Sequence, residues 1–391
     1  MIKVNTEKGK KVKKVGIITL SNSTNYGGVL QAVALSRTVR KLGMDPTNIT
    51  FQKIPSPWNS VRMYVRRRVR LYGCKGLKTK VRICGGIVKT LLSNVHYGAV
   101  KEKQKNFKDF LARYLTETPY YPTSELLKEH CSDYDAYITG SDQVWNSAFS
   151  YNQLIGAYFL DFAPEGAPCY SYAASAGGKK SDEYVREIIQ RTERFTGITV
   201  REKSLEEHMK KLGCERTQTV VDPTLLVSRE EWEAMAQKPK RNVPKNYILV
   251  YYLEKDVKND PVIKRISKEM NLPVVDIMPN YCKTEYPHLV DDTAGPAQFL
   301  YYVKNADYVI TNSFHMVVFS LIFGKKFVAL RRKGQESRIH DLLRLVKNEQ
   351  RYIEDEKEWH VINTEVPDLN SYIQKDREAS LEYLRQIGGV K

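Results

Sequence analysis

Two doubly wound α/β domains facing each other across a cleft are what this 391-residue chain predicts, on three observations. Short β-branched runs alternate with helical stretches from end to end, the rhythm of parallel sheets covered by helices. A polar segment with two prolines, residues 237–246 (QKPKRNVPKN), interrupts that rhythm, which then restarts. The length exceeds what one ordinary core fills. The expected domains are residues 1–238 and 239–391, the final helix packing back on the first.

The first domain opens with a strand over 12–20 (KVGIITL at its heart), the polar loop SNSTNYGG, and a helix over about 29–42 closed by Gly43. Gly27 and Gly28 read as loop residues that let backbone approach a ligand. The loop is not GxGxxG, so it does not argue for a dinucleotide. Residues 104–115 place Phe107, Phe110, Leu111 and Leu115 on one helix face. Strands follow over 134–139, 169–173, 197–200 and 219–221, the last broken by Asp222-Pro223, with helices over 182–194 and 203–211.

In the second domain, strands are expected over 247–253, 274–278, 308–310 and 326–330. Helices are expected over 261–270, 296–305, 314–323, 337–346 and 369–386. The stretch 306–330 (ADYVITNSFHMVVFSLIFGKKFVAL) is the focus. A β-branched run leads into Thr311-Asn312-Ser313, residues that cap helices, and then into an apolar helix whose first turn carries His315. Ligands of parallel sheets gather at the carboxyl ends of strands, where helix N-termini favour anions. An imidazole there can move a proton. Arg201 stands where the 197–200 strand ends, and Arg338 opens another helix, where a cation opposes the helix dipole unless it faces an anion.

Composition narrows the class. Hydrophobic residues at 42% and charged residues at 27% are those of a globular protein. The first sixteen residues hold no apolar signal core, and the most apolar stretch, 308–324, is short and carries Asn312, Ser313 and His315, so a membrane span is not expected. Six cysteines without a CxxC pair suit free thiols in a reducing cytoplasm. No HExxH or clustered Cys/His set is present, so no metal is expected. The net charge of +17 is uneven. Residues 46–101 contain no Asp or Glu, while Arg62, Arg66, Arg67, Arg70, Lys78, Arg82 and Lys89 interleave with apolar residues at helical spacing over 61–92. This basic helical insertion, about 58–101, suits an anionic membrane surface. With the charge confined there and no DNA- or RNA-binding motif, a nucleic-acid partner is not expected.

Gly140-Ser141-Asp142-Gln143-Val144-Trp145-Asn146 gathers a carboxylate, two amides and an indole at a strand end, a set that suits a sugar. It equally suits a turn closing on a core Trp. Asn25, Tyr26 and Gln31 carry the same double reading.

Taken together, NYGGVLQAVAL at 25–35, ITGSDQVWN at 138–146, SYAASAG at 171–177, VREKS at 200–204, VVDPTLL at 220–226 and TNSFHMVVFSLIFGKKFVAL at 311–330 resemble the polysaccharide pyruvyl transferase family. That resemblance implies a two-Rossmann, GT-B-like architecture and transfer of pyruvate from phosphoenolpyruvate (PEP) to a sugar as a cyclic ketal, in capsule or exopolysaccharide synthesis, without a further cofactor. The acceptor is expected to be lipid-linked and the protein cytoplasmic, peripheral on the inner membrane face. His315 matches the family's active-site His. Arg201 and Arg338 match PEP positions, with Asn312 and Ser313 beside them. Asn25, Tyr26, Gln31, Asp142, Gln143, Trp145 and Asn146 fall on the acceptor side, in the first domain. Ser313 stands where many relatives carry Arg and Met316 where Gly is common, which turns attention to Arg331, Arg332 or Lys326 as a substitute cation. The rivals are a GT-B glycosyltransferase using a nucleotide-sugar and a basic binding protein without catalysis.

Overall fold

The structure is a computed structural model that describes residues 12–51, 94–147, 154–253, 260–277, 288–331, 336–353 and 364–389. The helical stretches expected over 61–92, and Arg332, lie outside these residues.

The first lobe holds β1 (Lys14–Ile18), β2 (Asp45–Asn48), β3 (Ala136–Thr139) and β4 (Cys169–Ser171) as a parallel sheet in the order β2-β1-β3-β4. β5 (Ile198–Val200) pairs in parallel with β6 (Thr217–Thr219), and the bridges Tyr170–Gly197 and Ala174–Val200 carry the sheet on to β5. The second lobe holds β7 (Ile248–Tyr251), β8 (Val274–Asp276), β9 (His288–Val290), β10 (Tyr308–Thr311), β11 (Lys326–Leu330) and β12 (Tyr352–Ile353), all parallel, in the order β12-β11-β10-β7-β8-β9. Strand order therefore reverses between β1 and β3 in one lobe and between β7 and β10 in the other. Crevices open at such points. β7 and β10 are buried at every position, since helices cover both sheet faces. That burial is why ILVY and YVIT read as unbroken apolar runs.

The lobes share a core. Tyr26, Val29, Leu30 and Val33 of α1 (Tyr26–Lys41) and Phe107 and Leu111 of α2 (Asn94–Tyr114) join one cluster with Phe299 of α8 (Pro296–Asn305) and Val318 and Phe319 of α9 (Phe314–Ile322). α11 (Leu369–Gly388) enters that cluster with Leu369 and Ile373, then lays Tyr383, Leu384 and Ile387 on Val15, Ile17 and Val39 of the first lobe. Ser380 Oγ accepts from Val221 N at 3.0 Å, and Tyr383 OH donates to Ser171 O at 3.0 Å. Among the described residues no helix is long and apolar enough to cross a membrane.

Several elements depart from expectation. α1 starts at Tyr26 rather than 29, because Asn25 Oδ1 accepts from Gly27 N at 3.0 Å and Gly28 N at 3.5 Å and so caps the helix. Gly27 and Gly28 are helical, not loop. α2 begins at Asn94, ahead of the expected 104 and inside the stretch assigned to the insertion. The strand expected over 219–221 pairs over 217–219. β2 (DPTN), β9, the two-residue β12, α3 (Ser124–His130) and α6 (Arg229–Met235) lacked a long enough apolar pattern to be read. α6 did carry a signal, the capping box of Ser228 and Glu231. The remaining helices are α4 (Asp182–Arg191), α5 (Lys203–Lys211), α7 (Asp260–Met270) and α10 (Glu336–Leu345).

Candidate active site

The site grows from the exits of β10, β5 and β6. At the end of β10, Thr311 Oγ1 donates to Tyr251 O at 2.7 Å and accepts from Ser313 N at 3.0 Å. Asn312 Oδ1 accepts from Leu253 N at 2.9 Å, tying the exit of β10 to that of β7. Ser313 Oγ caps α9 by accepting from Met316 N at 3.5 Å. These bonds satisfy the turn's own backbone, and they aim the first turn of α9 at the other lobe.

That turn presents His315, 7% exposed. Its ring lies against the first turn of α1, where a Cβ on Gly27 would overlap the imidazole. Helix N-termini from two lobes thus converge on one side chain, a locus that favours negative charge. His315 Nε2 faces Asp222 Oδ2 at 3.6 Å, beyond hydrogen-bond length, and finds no hydrogen-bond partner among the described residues.

Asp222 and Arg201 form the first-lobe half. Arg201 leaves β5 and points Nη1 at Asp222 Oδ2 (3.1 Å) and Asp142 Oδ1 (3.5 Å), and Nε at Glu202 Oε1 (3.2 Å). Asp222 Oδ1 accepts from Thr224 N at 3.1 Å and Thr224 Oγ1 at 2.6 Å. Burial works to raise the Asp222 pKa, but His315, Arg201 and Thr224 outweigh it and hold the carboxyl well below its usual range. Burial likewise opposes the Arg201 charge, and Glu202, Asp142 and Asp222 more than offset it. Phe314 joins the halves: the guanidinium carbon of Arg201 sits 4.5 Å from its ring centroid and that of Arg338, in the first turn of α10, 5.9 Å.

The structure therefore brings His315, Arg201, Arg338 and Asp142 to one region, along with Asp222, which sequence reading took for a strand breaker. The signal for Asp222 was its position: an Asp-Pro just past a strand end, on the side where Arg201 also emerges.

Other expected site residues carry structural contacts. Tyr26 is fully buried, stacked on Phe299 at 4.8 Å and tilted against Phe107 at 5.1 Å, with its hydroxyl donating to Ala294 O at 2.8 Å. Gln31, also fully buried, donates to Thr19 Oγ1 and Gly28 O at 2.8 Å each and accepts from Ser141 N at 3.1 Å, which locks the loops after β1 and β3 together. Trp145 stacks on Phe159 at 5.6 Å and donates to Tyr158 O at 3.3 Å. Gln143 accepts from Asn146 Nδ2 at 2.6 Å, and Asn146 Oδ1 from Lys180 Nζ at 3.3 Å. Asn25, Asn312 and Ser313 cap or pin turns as above. Lys326 stands at the entry end of β11, opposite the exit that carries the site, and pairs with Glu365 at 3.3 Å. Arg331 lies at the exit end and is exposed.

Two lobes of parallel sheet, each with its switch point turned to the other, define a GT-B-like protein. Solved structures agree. The UDP-GlcNAc 2-epimerase of Methanocaldococcus jannaschii shares 11% identity over 95% of this chain and 99% of its own, at a TM-score of 0.51. The S. aureus MnaA–UDP co-structure shares 10% over 97% and 92%, at 0.50. At such identity the likeness concerns the fold alone. No curated protein matches the chain in sequence. The chain belongs to the polysaccharide pyruvyl transferase family, whose model matches residues 25–334, and is accordingly a transferase.

Proposed function

We propose that this protein transfers pyruvate from PEP onto two hydroxyls of a sugar, forming a ketal in a capsule or exopolysaccharide precursor. The methylene of PEP takes up a proton to become the methyl group, and C2 becomes electrophilic. Two sugar hydroxyls add to C2, the C2–O bond to phosphate breaks, and phosphate leaves. One hydroxyl proton balances the proton gained by the methylene and the other departs with phosphate. This chemistry needs a mobile proton and cations for a small, highly charged anion. His315 supplies the first, and Arg201 and Arg338 the second, guanidinium forks suited to carboxylate and phosphate oxygens.

The observation that carries the reading is the single imidazole held between two helix N-termini, 3.6 Å from a carboxylate that also holds Arg201. The test is phosphate release from PEP with lipid-linked sugars, comparing wild type with His315→Ala. Turnover should fall about 10²- to 10⁴-fold. Turnover of UDP-sugars with none of PEP would instead favour a nucleotide-sugar transferase; UDP is the ligand named in the S. aureus structure.

The acceptor is proposed to be lipid-linked, on the basic segment 61–92. Juxtamembrane Lys and Arg contribute about 1 kcal/mol each. The protein should float with anionic liposomes in low salt and be released by high salt; indifference to lipid charge would remove this part.

A further inference from the structure

A cleft of about 490 Å³ runs between the lobes, within the size range of small-ligand sites. Its inner end is formed by Arg201, Asp222, Phe314 and Arg338, all buried. Its rim is formed by exposed residues, among them Gln218 and Leu345. Asp222 is shared: it lines the inner end and also faces His315 at 3.6 Å.

Charge divides the cleft. The inner end holds two guanidinium groups, with the carboxylates of Asp222 and Glu202 both engaged by Arg201. The outer walls hold three carboxylates, Glu206, Asp341 and Asp376, against the cations Lys203 and Arg344. Glu206 is itself spent on Lys203 and Lys210, each at 2.7 Å, which leaves Asp341 and Asp376 as the open carboxylates against Arg344. Burial, then the charge of Glu202 across the cleft, pushes the Asp341 carboxyl above its ordinary pKa. With two open carboxylates against one cation, the outer wall has no surplus positive charge to offer a second anion such as a nucleotide diphosphate. It suits a neutral ligand rich in hydroxyls, which donate to carboxylates and to the Gln218 amide and rest C–H faces on Leu342 and Leu345. At the strand-end loop, the alternative place for a sugar, the Trp145 indole is packed on Phe159 and the neighbouring Gln31 of α1 is spent on hydrogen bonds.

We infer that the outer half of this cleft seats the acceptor glycan, Asp341 and the Gln218–Leu345 rim contacting its sugar, while the inner end takes the anionic donor. This rests on the pyruvyl transfer reading and deepens it. The acceptor then enters along α10, and its hydroxyls meet the donor at Arg201 and Asp222.

Two variants test it in the full chain. Asp341→Asn removes a carboxylate from the outer wall. Leu345→Trp, at a side chain already 37% exposed, narrows the rim without touching the core. In the phosphate-release assay both should raise the acceptor KM about tenfold and leave the PEP KM within about twofold. Saturation-transfer NMR with methyl hexosides and methyl N-acetylhexosaminides reads the contact directly, with no donor present. Glycoside signals should appear with wild type and weaken in both variants. If those signals appear while PEP is not turned over, the acceptor seat stands and the donor assignment falls. A rise in PEP KM with unchanged glycoside contact, or no saturation of any glycoside by wild type, would overturn the inference.

Discussion

Two turns leave strand ends at the two switch points, residues 140–146 after β3 and 311–315 after β10, and they spend their polar atoms differently. In the first, Ser141 N is bound by Gln31, Gln143 and Asn146 bind each other, and Trp145 disappears into the core against Phe159. Asp142 goes to Arg201. In the second, Thr311, Asn312 and Ser313 also go to backbone, yet one group is left over: His315, whose Nε2 has no hydrogen-bond partner among the described residues. Polar richness at a strand end therefore does not measure chemistry. What matters is which groups remain once the turn's backbone and neighbours are satisfied.

That contrast can be broken by substitution. Trp145→Ala should cost the most stability, about 3–5 kcal/mol, read as a lowered denaturant midpoint, with kcat of the surviving folded fraction near wild type. A selective loss of turnover instead would return the 140–146 loop to the site. Gly27→Ala should do the reverse. Its Cβ would overlap the His315 ring, so the imidazole must move, and displacement on the scale of an ångström costs about 10²-fold in turnover. The accompanying destabilisation should be about 1–3 kcal/mol. Unchanged turnover would show that the ring's seat against α1 is immaterial.

Asp222→Asn sharpens the comparison with the smallest effect. Arg201 keeps Asp142 and Glu202, so the loss should be about 1–3 kcal/mol at neutral pH. The folded-state pKa of Asp222 lies below the ordinary 3.8, so its stabilisation is complete above that value and fades as pH falls through the depressed one. The wild type should thus lose stability into acid more steeply than the Asn variant, as read by urea unfolding at stepped pH. Parallel acid limbs would mean that Asp222 titrates alike in both states.

Much of this molecule was written along the chain. Periodicity placed β7, β10, β11, α5, α8 and α9, because burial on both faces leaves an uninterrupted apolar run and amphipathic burial leaves a 3.6-residue one. The cap before His315 was legible for the same reason: Ser313 bonds three residues away. Short or polar elements such as β2 and β12 were not, since their pairing comes from neighbours distant in sequence.

Local order is decided by bonds between near neighbours, and the sequence alone determined that: alternating strands and helices, two lobes, and a histidine at a capped helix start. Only the tertiary structure decided which candidates face one another. It joined Asp222 to His315 from opposite lobes, set Gly27 against the ring, and buried Tyr26, Gln31 and Trp145. Those outcomes depend on how two sheets dock, and docking is settled by contacts between residues far apart in the chain, which no short window of sequence contains.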